Sequence, residues 1–141
     1  MSTFNYKSPG LGNVASYQVS GKPFAKGGLE APVLSGTPIK VEFPSVTSWV
    51  KVIPITGSNS THLRIGFSAN GVKNNNYYRI FAGNNANHEA VAPEPLKLKV
   101  TELYFIGDNS DTVVFDVVAG LTGISTGSII NNWSGSVGVD S

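Results

Sequence analysis

The sequence predicts an all-β protein, an antiparallel β-sandwich or jelly roll with an extended N-terminal arm. Three observations lead there. Apolar residues recur with period two along most of the middle of the chain, as half-buried strands require. Clusters of Gly, Asn, Asp and Ser separate these runs at the spacing of a sandwich or barrel. No window of a dozen residues shows a convincing helical period.

The chain has 141 residues, enough for one domain with a real core. Hydrophobic residues make up 40% and charged residues only 13%, against about 25% charged in a typical soluble domain. That hydrophobicity is too high for disorder. So weakly charged a surface suits contact with other protein, or readout by hydrogen bonds.

The organisation divides into an arm (residues 1–30), a β-sandwich domain (31–124) and a Gly/Ser-rich C-terminal segment (125–141). The arm contains "FNYKSPGLGNVASYQVSGKPFAKGG", with Phe4, Tyr6, Tyr17 and Phe24 set among five glycines and two prolines. Ordering such a backbone costs roughly 1–2 kcal/mol per residue. Each buried aromatic returns about 1.5–3 kcal/mol. The sums are close, so the arm is expected to order where a partner's surface adds to the burial. The competing expectation is that it folds back, with Val14–Gly21 as an edge strand.

In the middle, Ile39, Val41 and Phe43 alternate with Lys40 and Glu42, and Pro44 ends that strand. Trp49–Ile55 is more continuously apolar, as for a strand covered on both faces. Its Pro54 cannot donate to a ladder, so it belongs at an edge or a bulge. Leu63, Ile65 and Phe67 define the next strand, followed by Tyr77–Phe81. Leu96, Leu98 and Val100 alternate with polar partners, and then the phase flips to Leu103 and Phe105, as a β-bulge would produce. Thr112–Val118 is the last strand. The C-terminal segment adds Trp133 as an apolar anchor.

Several patterns carry chemistry elsewhere and do not here. Gly10–Ala15 fits G-x-G-x-x-A, but neither a strand before it nor a helix after it is present, so it reads as part of the arm. His62 and His88 have no nucleophile or orienting acid at a recognisable spacing and read as surface histidines. "GDNSD" (Gly107–Asp111) offers oxygen ligands, but it is too short for the calcium loop and reads as a hairpin turn. There is no cysteine, which rules out disulfides and thiolate metal sites. Ten basic and nine acidic residues are scattered along the chain, so a nucleic-acid partner has little electrostatic basis. No apolar run reaches the roughly 18 residues of a membrane span, and no secretory leader is expected.

The most function-like segment is Ser68–His88. Asn70-Gly71 favours a tight reversal, and Asn74, Asn75 and Asn76 lead into Tyr77 and Tyr78. Exposed aromatics beside amides hold sugars by stacking plus paired hydrogen bonds. Otherwise the two tyrosines straddle a strand, one facing the core and one a polar rim.

The stretches "GLGNVASYQVSGKPF", "LRIGFSANGVKNNNYYRI", "LKLKVTELYFIG" and "DTVVFDVVAGLTGI" resemble small virion structural proteins of tailed phages, especially marine and cyanobacterial ones. The resemblance implies a β-sandwich without catalytic site, metal or cofactor. It implies assembly in the host cytoplasm onto the virion, commonly as a homotrimer that decorates or cements the capsid by binding the major capsid protein. It carries over no binding residue, so the expected partner anchors remain Phe4, Tyr6, Tyr17, Phe24 and Trp133. The alternative is a carbohydrate- or receptor-binding module, such as a fibre head, using the Asn/Tyr-rich loop.

Overall fold

The computed structural model describes residues 22–57, 62–82, 94–126 and 136–140. Its described strands form two antiparallel sheets with almost no helix. The strands are β1 (Lys22–Ala31), β2 (Ile39–Glu42), β3 (Ser45–Gly57), β4 (His62–Gly66), β5 (Tyr77–Phe81), β6 (Glu102–Gly107) and β7 (Val113–Ser125). Among the described residues one short helix, α1 (Ala69–Lys73), connects β4 to β5. One sheet has the order β1-β7-β3, the other β2-β6-β4-β5. No helix among the described residues is long and apolar enough to cross a membrane.

The inward positions of both sheets feed one hydrophobic cluster. Val41, Leu63, Ile65, Leu103 and Phe105 come from the four-stranded sheet, and Val50, Val52, Val113, Phe115 and Val117 from the other. The rings of Phe105 and Phe115 meet with centroids 4.5 Å apart, joining β6 to β7. Burying either phenylalanine contributes about 1.5–3 kcal/mol.

Strand β1 begins inside the range expected for the arm. Its sequence looked too broken for a strand because Gly27 and Gly28 interrupt it. In the fold they form an irregularity: the register with β7 shifts between Lys26 and Leu29. Gly28 takes φ +67°, a conformation that side chains other than glycine's rarely adopt. Its N–H donates to the Asp116 carboxylate at 2.8 Å. The break in pattern is thus a bulge within a paired strand.

The Leu96–Val100 run differs from expectation in the other direction. It joins the fold through a bridge rather than a strand: Leu96 pairs with Val50 on β3, exchanging N–H···O bonds of 2.6 and 2.8 Å. Further along, the Thr47 hydroxyl donates to the Leu98 carbonyl (2.6 Å) and accepts from the Val100 N–H (3.0 Å). After the buried Thr101, the chain enters β6 of the other sheet. The phase flip therefore marks a change of sheet, and each phase points inward for its own partner. Pro54 lies on an edge strand beside a register shift between Pro54 and Thr56.

Candidate functional site

The Asn/Tyr-rich segment is organised by α1. Ser68 caps the helix, its hydroxyl accepting from the Gly71 N–H at 2.9 Å. The expected tight reversal at Asn70-Gly71 is this helical turn. Its carbonyls are then used by the loop that follows. The Asn74 N–H bonds to the Asn70 and Gly71 carbonyls, and the Asn76 N–H to that of Gly71. The three asparagines are thereby held at the entrance to β5.

Strand alternation then separates the tyrosines. Tyr78 lies opposite Ile65 and packs against the core cluster, with Ile80 following it inward. Its hydroxyl is buried with no hydrogen-bond partner among the described residues, and burial pushes the phenol well above its ordinary value. Tyr77 takes the other face, its ring 4.0 Å beneath the Arg64 guanidinium. Asn75, Asn76, Tyr77 and Tyr78 line an open cavity of about 320 Å³ together with Phe67 and Gly138. Asn74 is exposed and does not line it.

Gly138 belongs to the turn Ser136–Asp140, which no sequence signal connects with this loop. Two features dock it there. The Ser68 hydroxyl donates to the Val139 carbonyl at 2.8 Å. Gly71 has no side chain, and a Cβ there would collide with that same carbonyl oxygen.

Beside the cavity lies a charge cluster. Arg64 and Arg79 are directly opposed on β4 and β5. Asp108, just beyond β6, accepts from Arg64 Nε and, at 3.1 Å, from Arg79 Nη1. Arg64 also donates to the Lys73 carbonyl at 3.1 Å. Burial raises the Asp108 carboxyl, but the two arginines outweigh it and hold the group below the usual carboxylate range. This acid of the "GDNSD" turn is thus engaged by arginines, while Asn109 Oδ1 accepts from the Asp111 N–H within the turn (2.8 Å). His62 starts β4 with its ring edge-on to Phe81. His88 lies outside the described residues. No group of three or more metal-ligating side chains occurs among the described residues.

Of the expected partner anchors, Phe24 is described: it is half-buried on β1, edge-on to Phe43 at 5.1 Å, within its own domain. This ring finds its shelter internally because β1 pairs with β7 there, opposite Ala119. Phe4, Tyr6, Tyr17 and Trp133 lie outside the described residues.

A second concavity was not anticipated. Ser48, Trp49, Pro95, Lys97 and Lys99 line a groove of about 580 Å³ beside β3. Trp49 reads in sequence as a core residue of a doubly covered strand, yet it is only half-buried. The available signal was the alternation of Lys97 and Lys99 with Leu96, Leu98 and Val100, which puts both lysines on one side. Comparison with family models, curated proteins and solved structures finds no match.

Proposed function

We propose that this chain is a virion structural protein of a tailed phage, most directly a capsid decoration protein, whose two sheets stack as a β-sandwich. In this reading it assembles as a homo-oligomer, favoured as a trimer, on the major capsid protein. One observation carries the proposal. The aromatic-anchored segment 1–21 enters the fold through β1, an edge strand with seven of its ten residues exposed. An exposed edge with an apolar extension is a template for another chain. Binding restricted to the assembled shell would stabilise that shell by linkage, and many copies on one lattice would add avidity.

Deleting residues 1–21 tests this while leaving every described strand in place. The truncated chain is expected to keep its β-type circular dichroism and to lose sedimentation with capsids. Undiminished saturation of the shell would count against the proposal.

The cavity supports a second reading, a carbohydrate- or receptor-binding module, because four of the five residues singled out for sugar contact converge there with Phe67. On a glycan array this reading expects specific binding that Tyr77→Ala abolishes. Silence across the array would reject it.

A further inference from the structure

We infer that the groove beside β3 is a binding site for an acidic saccharide, with Trp49 as the stacking platform and Lys97 and Lys99 as the carboxylate contacts. This goes beyond the capsid reading and uses a face separate from the Asn/Tyr cavity.

The groove is built by backbone pairing. The Val50–Leu96 bridge and the Thr47 bonds to Leu98 and Val100 fix the 96–100 segment along β3. Leu96, Leu98 and Val100 are half-buried, and Lys97 and Lys99 are exposed between them. Both lysines thereby line the groove together with Trp49. The strand partner of Trp49 on β7 is Gly120, so β7 places no side chain opposite the indole. The volume, about 580 Å³, lies in the small-ligand range of roughly 300–1,000 Å³.

The chemistry of the lining selects the ligand. An electron-rich indole face suits the weakly positive C–H face of a pyranose ring. Two lysines line the groove and, among the described residues, no carboxylate does, so a sugar bearing a carboxylate is favoured over a neutral one. An acidic peptide fits less well, because the 96–100 segment already occupies this side of β3 and leaves no ladder for strand addition. Single-stranded nucleic acid needs a basic track along its backbone, and ten basic against nine acidic residues in the whole chain provide none.

The test is a titration of the full chain followed at the Trp49 indole N–H resonance, assigned with Trp49→Phe. The probes are an oligogalacturonate, a neutral oligogalactoside of equal length, a polyglutamate peptide and an oligothymidylate. The oligogalacturonate is expected to shift the Trp49 signal and to bind about tenfold more tightly than the neutral sugar. Combining Lys97→Gln with Lys99→Gln should remove that preference; both sites are exposed, so the fold should persist. Absence of a shift, equal affinity for the two sugars, or a preference that survives the double substitution overturns the inference. So does stronger binding of the peptide or the oligonucleotide than of the acidic sugar.

Discussion

Arg64 and Arg79 face each other across adjacent strands, an arrangement that costs stability when like charges stand unshared. Asp108 accepts from both and removes that cost. Asp108→Asn should therefore destabilise the fold by about 1–3 kcal/mol near neutral pH, measured by chemical denaturation. The pH dependence follows from the direction of the shift. The folded carboxyl sits below its unfolded value, near 3.9. Its contribution is present above that value and is lost as pH falls through the folded one. The Asn variant should lose less stability across the same acid range. Tyr78 makes the opposite case. Its hydroxyl is buried with no partner among the described residues, so Tyr78→Phe should leave stability unchanged or raise it by up to about 1 kcal/mol in the same assay. Strand alternation in the sequence put the two tyrosines on opposite faces without saying which faced inward. The arginine clamp was not legible, because it depends on cross-strand register and on a turn more than 40 positions from Arg64.

Among the elements, α1 holds the loop that lines the Asn/Tyr cavity, through its Asn70 and Gly71 carbonyls. Its own Val72 is fully buried, and a Cβ on Gly66 would lie 2.8 Å from that of Val72. Gly71 lets the turn Ser136–Asp140 settle on the helix. Gly71→Ala should expel that turn while the two sheets persist. Hydrogen exchange is the measurement: the Val139 and Asp140 amides, which bond to the Ser136 carbonyl, should lose protection, and those of β7 should keep it. Most strands were legible because period two is local. Helix α1 was not, since five residues are too few to show a period and its support comes from a cap and a distant turn. The boundary of the arm was obscured by Gly27 and Gly28, whose bulge depends on Asp116 from another strand. The phase change near Thr101 was visible, but its meaning, a crossing between sheets, rests on contacts with β3 and β6 that periodicity does not contain.

At the scale of the whole molecule, two antiparallel sheets share one apolar core, and Asp108 is shared between Arg64 and Arg79 within the fold. In the proposed role, such a body gives shape and leaves capsid contact to its edges and terminal segments. The proposed role places the decisive contact where segment 1–21 leaves β1. Imaging of intact virions at side-chain resolution tests this most directly. The account predicts this fold on the outer capsid surface, with Phe4, Tyr6 and Tyr17 seated on a neighbouring chain. Particles in which those three rings are enclosed by their own subunit, or which lack the protein altogether, would contradict it.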